Sequence, residues 1–234
     1  MTPDSTGFRH FHDQLSQLKK RLLEMSERSE ALVELSMQAV LEGDVTKAQT
    51  VIAGDRELDQ MELELEEMAV QLLALQQPMA RDLRVIISAI KITSDLERVG
   101  DHAVNIAQAA TRIARSSSNV SADPALEDMA RRARQMLSDA LDSFVRGDGA
   151  LGRDVCRRDD QVDSLHDSIF RILLTHMMSD PRTINLSLDF MTVSRNLERV
   201  ADLATNIAED AVFVAEGKTI KHRVEGPAKP ARTG

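Results

Sequence analysis

The sequence predicts an all-α protein made of two tandem, pseudo-symmetric three-helix bundles, and three observations carry that prediction. The segment DLERVGDHAVNIA at residues 95–107 recurs as NLERVADLATNIA at residues 196–208, identical at nine of thirteen positions, where average residue usage gives roughly one by chance. Apolar residues recur every seven positions through long stretches rich in Ala, Leu, Glu, Met, Gln and Arg, the composition and period of packed helices. The turn residues repeat too: EGD at 42–44 answers RGD at 146–148, and Pro78 answers Pro181 with a small shift of alignment.

Each half then reads as three helices. The first spans about residues 9–41 and ends at the EGD turn, after which Asp44 caps a second helix over 45–76. In that helix Val51, Leu58, Leu65 and Leu72 recur every seven, with Met61, Met68 and Leu75 three residues after the last three. That stripe is wide enough for one bundle interface, and it assigns the methionines to packing rather than to ligation. The third helix, 79–115, repeats Val85, Ile92, Val99, Ile106 and Ile113, interleaved with Ala89, Leu96, Ala103 and Ala110. The polar stretch SSSNVSAD at 116–123 is the linker. Asp123 with Pro124 gives a cap-then-proline start for a fourth helix over 124–145. Asp148 caps a fifth over 149–177, and Asp180 with Pro181 opens a sixth over 182–215. The sixth carries the seam of the third as Leu186, Val193, Val200, Ile207 and Val214, interleaved with Phe190, Leu197, Ala204 and Ala211. The domains are therefore 1–118 and 119–217, followed by a basic tail at 218–234 that reads as flexible. Helices of about 30 residues are about 45 Å long, so an elongated molecule is expected.

Charge and composition exclude several functions. The chain carries 38 acidic and 29 basic residues, a net charge of -9, and its last eighteen residues hold five Lys or Arg against one Glu. Removing that +4 leaves a body of -9 minus +4, or -13. Such a body repels a phosphate backbone, and with no Trp, no Tyr and six Phe it has few rings to stack on bases, so nucleic acid is not an expected partner. Cys156 is the only cysteine, which precludes an internal disulfide and suits a reducing compartment. The N-terminus MTPDSTGFRH lacks the apolar stretch of a signal peptide, and the longest apolar run, VIISAI at 85–90, is far below the ~20 residues that cross a bilayer. The expectation is a cytoplasmic protein.

The polar residues of the repeat point to a site. Glu97, Asp101 and Asn105 are four apart and share one stripe of the third helix, about 130–210° from the centre of its seam, so they do not belong to the core. Asp55, Asp59 and Glu62 lie at roughly 70–130° from the seam of the second helix. The other half repeats the set as Asp159, Asp163, Glu198, Asp202 and Asn206, with His166 where Glu62 stood. Acidic stripes that converge from neighbouring helices require a cation. The candidates are Arg98 and Arg199, or a metal ion: Mg, Mn or Fe on carboxylate and amide oxygens, with Zn or Fe admitted by His166. His102 faces Leu203 in the repeat and reads as a surface neighbour rather than a ligand. Two Glu-x-x-His pairs, a Ser-His-Asp order, a glycine-rich phosphate loop and a cysteine cluster are all missing, so catalysis has little support; a metal-dependent hydrolase or oxidase in the groove is the alternative.

The two repeat segments, together with GDRELDQME at 54–62, RRDDQVDSLH at 157–166 and QPMARDLRVIISAIKITSDLERVGDHA at 77–103, resemble the PhoU family of bacterial phosphate-signalling regulators over nearly the whole chain. The resemblance implies a non-enzymatic adaptor, expected as a homodimer, at the cytoplasmic face of the plasma membrane. It would bridge the ATPase of a phosphate ABC transporter and a sensor histidine kinase and hold the phosphate-starvation response off when phosphate is plentiful. It also implies surface iron or zinc clusters, placing metal ligands on Asp55, Asp59, Glu97, Asp101 and Asn105, and on Asp159, Asp163, Glu198, Asp202 and Asn206. Asn196 in place of the acid at Asp95, and Gln161 in place of Glu57, set the second site apart from the first.

Overall fold

The computed structural model describes residues 5–76, 78–116 and 122–220, so the basic tail expected from 218 onward lies almost wholly outside the described residues. Its helices are α1 (Ser5–Glu42), α2 (Val45–Gln76), α3 (Ala80–Ala114), α4 (Pro124–Arg146), α5 (Gly149–Ser179) and α6 (Ile184–Glu216). The described residues contain no strand.

Local chemistry sets the boundaries. Gly43 and Gly147 take φ of 67° and 69° to close α1 and α4, a left-handed conformation that only glycine adopts without strain. The next residue then caps the following helix: Asp44 Oδ1 accepts from Thr46 N at 2.8 Å, and Asp148 Oδ1 accepts from Ala150 N at 3.0 Å. Asp123 does the same for α4, accepting from Ala125 N at 2.8 Å. The sixth helix departs from expectation. Asp180 caps a single 3-10 turn, Pro181–Thr183, accepting from Arg182 N at 3.0 Å, and the α-helix begins only at Ile184.

The seams are buried as the heptads require, with three exceptions. Met68 and Ile113 are half-buried, and Leu75, in the last turn of α2, is 72% exposed. α3 and α6 also bury small residues beside their seams, Gly100 against Leu58 and Asp55 of α2 and Ala208 against Gly152 of α5, where small side chains let helix backbones approach closely. α3 packs on α6 as extensively as on α1 or α2. α1 also touches α4, and a single hydrophobic core runs through both halves. The contacts keep the internal two-fold: α1–α2, α1–α3 and α2–α3 are answered by α4–α5, α4–α6 and α5–α6.

Polar links cross the same junction. Lys91 Nζ lies 3.3 Å from Asp210 Oδ1, whose residue is 3% exposed, and Arg112 Nε donates to Asp189 Oδ1 at 2.6 Å. Arg134 pairs with Glu34 at 2.8 Å. His102 Nδ1 is 2.9 Å from Asn196 Oδ1, and Asn196 Nδ2 donates to Thr192 O at 2.7 Å. With its amide nitrogen so engaged, Asn196 accepts, and His102 Nδ1 carries the proton.

Candidate functional site

α2 and α3 lie side by side, and Gly100 sets how closely. A Cβ built at that position would lie 2.5 Å from Leu58 Cδ1 and 3.0 Å from Asp55 Oδ1, so the missing methyl lets Asp55 approach the α3 backbone. The resulting groove collects Asp55 and Asp59 from α2 and Glu97 and Asp101 from α3. Glu62, one turn further along α2, joins them. The clustering is visible in their proton affinities. Glu97 is pushed up to about 7 by burial, then by the charges of Asp101, Glu62, Asp59 and Asp55. Asp55 is raised by burial and then by Asp59 and Asp101. Glu62 is raised by burial, then by Glu66, Asp59 and Asp101.

The second groove, between α5 and α6, repeats the arrangement. Burial and the charges of Asp163 and Asp202 push Asp159 up to about 6. The Thr205 hydroxyl beside it opposes that rise, though Asp159 Oδ1 and Thr205 Oγ1, both buried, make no well-formed hydrogen bond with a described residue. Asp163 is raised by burial and then by Glu198 and Asp202. His166 fills the place of Glu62. Its Nδ1 is 2.8 Å from Ser194 Oγ, which also lies 3.5 Å from the weak thioether acceptor Met129 Sδ. The imidazole is the better acceptor for the Ser194 hydroxyl, so the ring proton falls on Nε2, which faces Glu198 Oε2 at 3.8 Å. Thr205 was not legible in the sequence, since its counterpart Val104 gives no polar signal.

Four positions read differently in three dimensions. Arg98 does not neutralise the first groove but pairs with Asp95 at 3.3 Å. Arg199 does engage the second, through Asp202 at 3.0 Å. Glu57 pairs with Arg28 of α1 at 2.7 Å, and its counterpart Gln161 accepts from Arg132 of α4 at 2.5 Å, so this difference falls at a helix–helix tie outside the groove. Asn196 is likewise engaged with His102. Asn105 is exposed, Asn206 is half-buried, and neither makes a side-chain hydrogen bond with a described residue. Cys156 is half-buried against the core, its thiol pushed up to about 11 chiefly by burial, which leaves it protonated and unreactive.

Among the described residues, no three His, Cys, Asp or Glu side chains are gathered in an arrangement that could hold a metal ion. The donor chemistry nonetheless suits a cation: mutually repelling carboxylates in both grooves, a buried Asp159 oxygen with no well-formed hydrogen bond to a described residue, and an imidazole nitrogen facing Glu198.

The comparisons with known proteins follow the same two-fold. The PhoU domain profile matches residues 22–110 and again 126–211, once in each half. The phosphate-specific transport system accessory protein PhoU homolog of Caulobacter vibrioides is 38% identical over 210 residues, which cover 90% of this chain and 91% of that protein. That of Clostridium acetobutylicum is 36% identical over 211 residues, covering 90% and 96%. The crystal structure of PhoU from Pseudomonas aeruginosa superposes with a TM-score of 0.85 at 35% identity, covering 89% of this chain and 100% of that one. The phosphate transport system regulatory protein PhoU from Streptococcus pneumoniae superposes at 0.83 with 27% identity, covering 90% and 99%. Matched in both halves by the domain profile and along nearly its whole length by these relatives, the chain belongs to the PhoU family.

Proposed function

We propose that this protein is a non-enzymatic adaptor of a phosphate-transport system. It works at the cytoplasmic face of the membrane, bridging the transporter ATPase and a sensor histidine kinase, and represses the starvation response when phosphate is plentiful. Support comes from the PhoU relatives, named as accessory proteins of phosphate-specific transport and matched over most of their length. No described helix is long and apolar enough to cross a membrane, so attachment there would run through partners.

The observation that carries the site reading is the paired set of carboxylate grooves, each holding acids of raised proton affinity. Asp55, Asp59, Glu97 and Asp101, and Asp159, Asp163, Glu198 and Asp202, would hold hard divalent or iron cations, with zinc admitted at His166. Such a cation supplies charge neutralisation there. Closing each set takes side-chain rotation, open to Asp59, Asp101 and Asp163 on their exposed faces. The groove residues thereby set the spacing of α2 from α3 and of α5 from α6. The test is an affinity pull-down of the tagged protein from phosphate-replete cells, with metal analysis of the same sample. Recovery of the kinase and the ATPase, with bound metal lost on changing groove acids, is the expected result. Turnover of phosphoesters by the metal-loaded protein, or recovery of neither partner, would overturn it.

A further inference from the structure

Outside the grooves, basic side chains line two cavities of an otherwise acidic molecule: an open one with Arg112, Arg115 and Arg182 beside Asp189, and a more enclosed one that also holds a lysine. The enclosed one has a volume of about 260 Å³ and lies where the two halves meet, between α1, the first turn of α3, the end of α4 and the end of α6. Leu15, Val85, Phe144 and Val214 form its floor, and Lys19, Arg81, Arg146 and His12 bring basic groups to its walls. Asp82 is the acid among the lining residues, and Arg146 also pairs with Asp142 at 2.8 Å. Lys19 Nζ has one long contact, 3.5 Å to Val145 O, and no ion pair with a described residue; burial and then the charge of Arg81 lower its proton affinity, opposed by the charge of Asp82. Arg81 makes no ion pair with a described residue, and α3 enters the cavity by a first turn with no capping side chain at Met79.

The internal repeat supplies a control. The turns at Gly43 and Gly147 are 147 − 43 = 104 residues apart, so Lys19 corresponds to Asp123 and Arg146 to Glu42. Glu97 and Glu198 are 101 apart, so Arg81 corresponds to Arg182. At the other end of the pseudo-two-fold, then, two cations are replaced by acids: Asp123 is a helix cap, and Glu42 pairs with Lys47 at 2.7 Å. Arg182 is neutralised by Asp180 at 2.9 Å. The cavity at that end is basic too, lined by Arg112, Arg115 and Arg182, but Asp189 pairs with Arg112 and Asp180 with Arg182, so a lysine and an arginine without an ion pair to a described residue set the enclosed cavity apart.

We propose that this cavity is a binding site for a phosphate-type oxyanion, held by Lys19 and Arg81 with Arg146 at the rim. Arginine presents a planar fork and lysine a point charge, the two donors best suited to phosphate oxygens. The apolar floor accommodates a small ester or lipid moiety as well as a free ion. The inference rests on this cavity alone and does not depend on the carboxylate grooves or on the adaptor reading.

The test uses the full chain with chelator present, so that phosphate held through a metal does not register. Calorimetry with inorganic phosphate and with glycerol 3-phosphate, and co-sedimentation with phosphatidic acid vesicles, are run at constant ionic strength. Lys19→Gln and Arg81→Gln should each weaken binding about tenfold, the loss of one charged hydrogen bond. Arg182→Gln, at the pseudo-equivalent position, should leave it unchanged. A response to inorganic phosphate with that pattern assigns the free ion; a response confined to glycerol phosphate or vesicles, with the same pattern, assigns the ester or the lipid headgroup. No response to any probe up to about 10 mM, or a response that Arg81→Gln leaves intact, would overturn the proposal. If Lys19→Gln does not fold, Arg81→Gln, an exposed side chain, decides alone.

Discussion

The raised carboxylates make the metal-free protein less stable as pH rises, and two isosteric changes should reverse this. Glu97 moves from 4.5 to about 7, and Asp159 from 3.8 to about 6. An acid raised on folding is protonated in the native state where the unfolded chain has already ionised. Its favourable contribution is therefore whole below the unfolded value and is lost between that value and the native one. For Glu97 the window runs from pH 4.5 to about 7, and for Asp159 from 3.8 to about 6. At about 1.4 kcal/mol per pH unit the unscreened penalties are about 3 kcal/mol each. Both groups are partly exposed, and solvent screening reduces each to about 1 kcal/mol.

Glu97→Gln with Asp159→Asn removes both charges without changing shape. The two sites lie in separate grooves with no shared partner, so their effects should add to about 2 kcal/mol. At about 2–4 °C per kcal/mol for a chain of this size, the double variant should melt about 4–8 °C above the parent at pH 8 in chelator. The gap should shrink towards pH 5. Added Mn or Zn should reverse the order, raising the parent by about 2.7 kcal/mol at a hundredfold excess over Kd and the variant by far less. The assay is a thermal melt by circular dichroism at pH 5 and pH 8, with chelator or metal. A double variant no more stable than the parent at pH 8 would refute the reasoning, because it would show the grooves already neutralised by groups of the protein.

Three further outcomes are expected. Asp101→Ala with Asp202→Ala should remove bound metal, read by mass spectrometry, yet leave the melting temperature nearly unchanged, since Asp101 is exposed and the Asp202–Arg199 pair is a surface pair of small value. Gly152→Ala should destabilise by about 1–3 kcal/mol in a denaturant titration, because its Cβ would lie 2.9 Å from Ala208 O, Ser143 Oγ and Val212 Cγ2. Affinity for the kinase or the ATPase, measured by surface binding across a salt series, should fall steeply as salt rises, since the acidic body acts over a Debye length of about 8 Å at physiological ionic strength.

Much of the fold was legible because two signals are local. A seven-residue apolar period fixes a seam, and a Gly-Asp turn both ends one helix and caps the next, as Gly43–Asp44 and Gly147–Asp148 do. The packing of α3 on α6 was not legible, because the links across it, such as His102 with Asn196 and Lys91 with Asp210, join polar residues far apart in the chain that each read alone as ordinary surface. The delayed start of α6 was hidden as well: Asp-Pro marks where a helical turn begins without saying whether that turn is 3-10 or α.

For the site, the groove acids could be read from four-residue spacing and recurrence, but their neighbours could not, since an ion-pair partner on another helix leaves no trace in spacing. The repeat is most instructive where it fails. Asn196 departs from Asp95, and His102 departs from Leu203; in the sequence these are two unrelated blemishes, ninety-four residues apart. In the structure they are the two ends of one hydrogen bond between α3 and α6. Under the pseudo-two-fold the equivalent pair is Asp95 with Leu203, a combination that can form no such bond. The groove acids that agree between the halves serve what each half does alone. Differences at His102 and Asn196, and at Lys91 and Asp210, fall where the halves meet, because there the two copies occupy different surroundings.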